Sequence, residues 1–168
     1  MRVAMSKHKE EKTNVMRALE QKKIPYVAHA YPAPDGASDG VTVAALLGMD
    51  PAGVFKTLVC RGQSGSYYVF DIPAAETLDL KKAAKAVGEK AVAMIPQKEL
   101  LPLTGYVHGG CSPVGMKKQF PTVFHESVRT LDTVAVSAGR VGFQVECRPE
   151  ELMALVGART ADIITDRG

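Results

Sequence analysis

Apolar and polar positions alternate along this chain with two periods, and each change of period marks an element boundary. Over residues 10–22, Val15, Met16 and Leu19 stand among good helix formers, the spacing of an amphipathic helix, and Ile24-Pro25 ends it. Residues 26–31 (Tyr-Val-Ala-His-Ala-Tyr) read as a strand, and 32–40, with two prolines, two glycines and two aspartates, as a mobile loop. A short helix follows over 41–47, closed by Gly48, and Asp50-Pro51 opens another turn. Residues 55–61 and 66–72 are rich in strand formers and are separated by Gly62-Gln63-Ser64-Gly65, a hairpin signal. Residues 79–87 give a helix with Leu80, Ala83, Ala84 and Val87 inward and Lys81, Lys82 and Lys85 outward, and 98–101 a further short helix. Three more strands are predicted over 122–125, 133–137 and 142–147, and a last helix over 150–156, opened by Pro149 and ended by Gly157. The sum is an α+β domain whose six or seven strands form a curved, mainly antiparallel, barrel-like sheet surrounded by helices.

Composition adds limits. A length of 168 residues suits one domain spanning 1–168, with 1–9 read as a flexible polar tail. No apolar run approaches a membrane span and the start has no apolar signal core, so the expectation is a cytoplasmic protein without membrane contact. Lys and Arg number 21 against 18 Asp and Glu, a charge of +3 that permits nucleic-acid contact without demanding it. Aromatic residues are 6% with no Trp, which disfavours single-strand recognition built on stacking. Cys60, Cys111 and Cys147 are odd in number and widely spaced, and the four histidines show no ligand spacing; neither a disulfide framework nor a metal site is expected.

One stretch stands apart. Residues 105–118 (Gly-Tyr-Val-His-Gly-Gly-Cys-Ser-Pro-Val-Gly-Met-Lys-Lys) hold four glycines, one proline and two terminal lysines. They predict a stiff loop whose backbone N–H groups suit an anion or a developing oxyanion; an ornate turn between strands is the plainer alternative. Lys56 lies in an otherwise apolar strand, with Leu58 and Cys60 on its own face and Phe55, Thr57 and Val59 on the other. A lysine there either lines a site, holding phosphate, carboxylate or carbonyl, or guards a sheet edge. Ser137, before the Ala138-Gly139 turn, either holds a ligand or performs simple turn chemistry. Cys111, three residues after His108, invites a thiol-nucleophile reading, though sequence adjacency does not establish nucleophile–base geometry. Lys81, Lys82, Lys85, Lys117, Lys118 and Arg129 form either a phosphate track or a solvated surface.

Taken together, several motifs resemble the YbaK/EbsC proteins, free-standing relatives of the editing domain of bacterial prolyl-tRNA synthetase. They are Phe55-Lys56-Thr57-Leu58, the run from Leu78 to Lys85, Thr104-Gly105-Tyr106, Gly109-Gly110, Ser112-Pro113, Gly115-Met116-Lys117-Lys118, and Val136-Ser137 with its glycine turn. The resemblance covers nearly the whole chain in the right order. It implies hydrolysis of a mischarged aminoacyl-tRNA ester, foremost Cys-tRNA(Pro), beside prolyl-tRNA synthetase and without a cofactor. By the same resemblance Lys56, Gly109 and Gly110 are the catalytic residues, and Tyr31, Ser112, Ser137, Gly139 and Arg140 bind substrate. The substrate's own thiol is implied as nucleophile, so the enzyme positions the ester and stabilises the oxyanion. This chain departs from the family pattern at Ala138 and Val141, in a turn that commonly reads Ser-Gly-Gly-Lys-Arg-Gly, and at His108. Ala138 is expected to strain the turn or narrow the pocket. The alternatives are another editing substrate such as Ala-tRNA(Pro), a non-catalytic tRNA- or synthetase-binding module, and a Cys111-dependent hydrolase. Oligomeric state and any lid role for 32–40 are not legible in the sequence.

Overall fold

A computed structural model of the protein describes residues 12–33 and 39–166. The expected tail at 1–9 and most of the expected loop at 32–40 lie outside these residues. Among the described residues there are five α-helices and eight strands. Helix α1 (Asn14–Gln21) starts where the Thr13 hydroxyl accepts the Met16 N–H, and it buries Val15, Met16 and Leu19 as the spacing predicts. Strand β1 (Tyr26–Ala30) leads to α2 (Gly40–Leu47), which is capped by Asp39 and stopped by Gly48 in the left-handed conformation at φ 69°. The hairpin is present as β2 (Phe55–Gly62) and β3 (Tyr67–Pro73). Next come α3 (Leu80–Val87), β4 (Val92–Met94), α4 (Leu100–Thr104) and β5 (Thr122–His125). The chain ends with β6 (Val134–Ser137), β7 (Phe143–Cys147), α5 (Pro149–Val156) and β8 (Arg159–Ala161).

The strands form two sheets, and the expectation of one barrel-like sheet needs correcting. A three-stranded sheet runs β1-β7-β6 and is antiparallel; a five-stranded sheet runs β4-β2-β3-β5-β8, with β3–β5 and β5–β8 parallel. Neither closes into a barrel. They meet where Val54, just before β2, bridges to Ala135 of β6.

Burial follows strand alternation. Phe55 and Val59 of β2, Val69 of β3 and Phe124 of β5 join the larger core with α1, α5 and the three-stranded sheet. Their neighbours Cys60, Phe70, Ile72 and Val123 face a second core, built on Ala83 and Ala84 of α3 and on Ile163. The centre of the five-stranded sheet is therefore covered on both faces, which explains the nearly continuous apolar run in β3 and lets parallel pairing form there. Helix α3 differs from expectation at its first residue: Leu80 is 41% exposed, because the buried contacts of that helix run through Ala83 and Ala84. At the C-terminal end, Lys82 Nζ donates to Asp162 Oδ2 at 2.9 Å, to the Ile164 carbonyl at 2.9 Å and to Asp166 Oδ1 at 2.8 Å, pinning the last residues against α3. No helix among the described residues is long and apolar enough to cross a membrane.

Candidate functional site

The junction of the two sheets leaves a cavity of about 340 Å³. The start of β2 contributes Val54, Phe55, Lys56, Thr57 and Leu58; the three-stranded sheet contributes Ser137 and Gln144, with Tyr31 at the end of β1. His108, Gly109 and Cys111 come from the glycine loop, and Asp39 from the N-cap of α2. Lys56 lines this cavity, and β4 pairs only with Cys60, Arg61 and Gly62, so the lysine lies where β2 has no β4 neighbour. Burial lowers the Lys56 pKa, and the Asp39 and Glu76 carboxylates oppose that shift. Asp39 itself is held below the usual carboxylate range, chiefly by hydrogen bonds from Thr42.

The glycine loop is stapled from within. The Tyr106 N–H donates to Thr104 Oγ1 at 3.0 Å, the Tyr106 hydroxyl donates to the Val114 carbonyl, and the Lys117 N–H donates to the Thr104 carbonyl at 3.0 Å. Gly109 takes φ 89°, a conformation that a side chain would strain. Its N–H has no backbone acceptor among the described residues. The Gly110 N–H, by contrast, donates to the Val107 carbonyl at 3.0 Å. Gly110 is required for another reason: a Cβ there would stand 3.1 Å from the Val141 nitrogen and 3.3 Å from Arg140 Cα, so the two glycine loops touch at this point.

The sequence-predicted residues divide accordingly. Lys56, Gly109, Tyr31 and Ser137 line one cavity. Gly110, Ser112, Gly139 and Arg140 do not line it. Ser112 is fully buried and its Oγ accepts the Val114 N–H at 3.3 Å, a turn role. Gly139 donates to Ser137 Oγ at 3.0 Å, so the serine performs turn chemistry while it lines the cavity. Arg140 is exposed and its guanidinium lies over the Phe143 ring at 4.9 Å. Ala138 is buried in the larger core and does not line the cavity; its Cβ therefore does not narrow the pocket, contrary to the expectation from sequence.

Sequence reasoning missed Asp39, Thr57 and Gln144 as cavity residues, while His108, singled out beside Cys111, lines the cavity with it. Gln144 is buried and its Oε1 has no partner among the described residues. A strand pattern of Phe-Gln-Val-Glu-Cys puts Gln144 on the polar face, which ordinarily means solvent; here that face turns to the cavity. Behind the cavity wall, Asp71 is fully buried and accepts a 2.5 Å hydrogen bond from the Thr57 hydroxyl. Burial pushes its pKa up to about 8. Cys111 is no activated thiol: burial, with the Asp71 carboxylate adding to it, pushes it up to about 12. Among the described residues no three His, Cys, Asp or Glu side chains gather where a metal ion would be held.

Comparison with known proteins identifies the family. Residues 35–155 match the model of the aminoacyl-tRNA editing domain. Over 162 residues the chain is 43% identical to an Enterococcus faecalis protein named "Putative Cys-tRNA(Pro)/Cys-tRNA(Cys) deacylase EbsC", covering 96% of this chain and 99% of that protein. A crystal structure described as "a putative trans-editing enzyme for prolyl tRNA synthetase" superposes with a TM-score of 0.80 at 29% identity, over 90% of this chain and 95% of that one. A scaffold structure used in computational epitope grafting superposes with a TM-score of 0.81 at 28% identity, over 91% and 96% of the two chains. A match to the family model over most of its length, with 43% identity to EbsC across nearly the whole chain, makes this protein a member of the aminoacyl-tRNA editing family, of the YbaK/EbsC type.

Proposed function

We propose that this protein deacylates mischarged aminoacyl-tRNA in trans to prolyl-tRNA synthetase, with Cys-tRNA(Pro) as its foremost substrate. The observation that carries this reading is a cavity with a half-buried lysine and no activated nucleophile: the thiol lining it, Cys111, is pushed up to about 12. Such a site suits a substrate that brings its own nucleophile. The cysteine thiol of the substrate attacks its own ester carbonyl, a C–S bond forms, and the C–O bond to the ribose breaks. The thiol proton passes to the ribose oxygen, leaving a cyclic thioester and uncharged tRNA. The protein holds the ester in attack geometry and meets the oxyanion. Gly109 supplies the backbone N–H for the oxyanion, and Lys56 holds the terminal phosphate or the ester oxygens. Gly110 serves by letting the two loops approach. Tyr31, Ser137 and Gln144 shape the pocket for a small side chain, and the exposed Arg140 meets the tRNA backbone.

The test is deacylation of Cys-tRNA(Pro), Ala-tRNA(Pro) and Pro-tRNA(Pro) by the purified protein. Rapid loss of cysteine alone is expected. Preferential loss of alanine contradicts substrate-assisted attack, since alanine has no thiol; binding of tRNA without turnover of any ester makes the protein a binding module instead.

A further inference from the structure

Asp71 has no place in the chemistry above, yet it occupies an expensive position. It is a carboxyl group buried completely in the centre of β3, and its Oδ2 has no hydrogen-bond partner among the described residues. Its other oxygen, Oδ1, accepts from the hydroxyl of Thr57, which stands directly opposite in the β2–β3 register, at 2.5 Å. Thr57 in turn lines the cavity, next to Lys56. Asp71 itself does not line the cavity, so any effect on substrate passes through Thr57.

A hydroxyl has one proton to donate and two lone pairs to offer. Whether Asp71 is ionised or carries its proton on Oδ2, its Oδ1 takes the Thr57 proton, and the hydroxyl of this cavity-lining residue keeps acceptor capacity only. An acceptor rewards a donor on the substrate. A cationic α-ammonium held there would share the cavity with the Lys56 ammonium, which is unfavourable, so the matching group is a neutral donor on a small side chain: a thiol or a hydroxyl. We propose that Asp71 is a positioning residue that fixes Thr57 as a hydrogen-bond acceptor and thereby selects aminoacyl esters whose side chain carries a thiol or hydroxyl over those with a plain methyl group. This rests on the deacylase reading and adds a residue-level source for its amino-acid preference.

The experiment compares wild type, Asp71→Asn and Asp71→Leu. It measures kcat and KM for Cys-tRNA(Pro), and the inhibition constant of Ala-tRNA(Pro) as competitor. One neutral hydrogen bond corresponds to roughly a tenfold change. Asp71→Leu leaves the Thr57 hydroxyl free to rotate, so its lone pair is no longer held towards the substrate side chain; KM for Cys-tRNA(Pro) is expected to rise about tenfold while the inhibition constant of Ala-tRNA(Pro) stays put. Asp71→Asn keeps an acceptor oxygen for Thr57 and is expected to keep the wild-type ratio. An unmoved ratio in folded Asp71→Leu overturns the proposal, as does an Asp71→Asn ratio as poor as that of Asp71→Leu. If Asp71→Leu does not fold, Thr57→Val reads the same relationship: the ratio falls about tenfold, or the proposal is wrong. Wild-type protein that deacylates nothing overturns the deacylase reading and this inference together; an active enzyme with an unmoved ratio overturns this inference alone.

Discussion

Gly110 and Val141 come so close that a methyl group on the Gly110 Cα would stand 3.1 Å from the Val141 backbone nitrogen. The partner atom is backbone and cannot swing away as a side-chain tip would. The two glycine loops that border the cavity are thus held in register by the absence of a single Cβ.

Gly110→Ala is therefore expected to push the loops apart. The cost in stability should be that of local overpacking, about 1–3 kcal/mol, measured by thermal or urea unfolding. The loss of deacylation should exceed what that destabilisation explains, because Gly109 on one loop and Ser137, the last residue of β6 before the other, lose their relative placement. Ala substitution at Gly157, where φ is 66° and a Cβ would meet nothing within 4 Å, is the control: it strains a helix C-cap and should spare activity.

Lys56 predicts an alkaline limb in the rate profile. Its folded pKa is lowered by burial below the ordinary 10.5, with Asp39 and Glu76 opposing. The ammonium is therefore lost earlier on raising the pH than from a free lysine, and activity that needs the charge falls with it. Asp39→Asn removes one opposing carboxylate while keeping an N-cap for α2, so it should move that limb to still lower pH. For stability the sign is the reverse. Between the folded and unfolded values the unfolded chain binds more protons, so the Lys56 contribution improves as pH rises through that window. Lys56→Met should accordingly be no less stable than wild type at neutral pH, with the difference read from urea midpoints.

Asp71 predicts the opposite slope. Its folded pKa of about 8 stands above the ordinary 3.8, so the native state binds the extra proton between those values. Stability from this group is fully present below about pH 3.8 and is lost as pH rises towards 8. Asp71→Asn has no such proton to lose. Its stability relative to wild type should grow steadily from pH 4 to pH 8, by at most about 1.4 kcal/mol per pH unit. A constant difference across that range would mean Asp71 does not titrate there.

Much of this architecture was legible in local patterns. Helix ends announced themselves through Gly48, Pro149 and Gly157, and the alternation in β2 correctly separated Phe55 and Val59 from Leu58 and Cys60. Strands β4 and β8 escaped because three residues show no usable period. The parallel pairings of β5 with β3 and β8 are long-range and carry no turn signal. Of the motif-bearing residues, Lys56, Gly109, Tyr31 and Ser137 line one cavity, but their neighbours in it were not readable. Gln144 and Thr57 look like surface residues of half-buried strands until the second sheet turns that surface into a cavity wall. Asp71, a charge inside an otherwise apolar run, was a visible anomaly whose meaning depends on what lies across the sheet.

Deacylation of Cys-tRNA(Pro) under single-turnover conditions, by wild type, Lys56→Ala and Cys111→Ser, tests the central claim most directly. The account predicts that Cys111→Ser matches wild type, and that Lys56→Ala stays folded and loses about 100-fold or more in rate. Activity abolished by Cys111→Ser but retained by Lys56→Ala would contradict it, and would make the cavity thiol the nucleophile in place of the substrate's own.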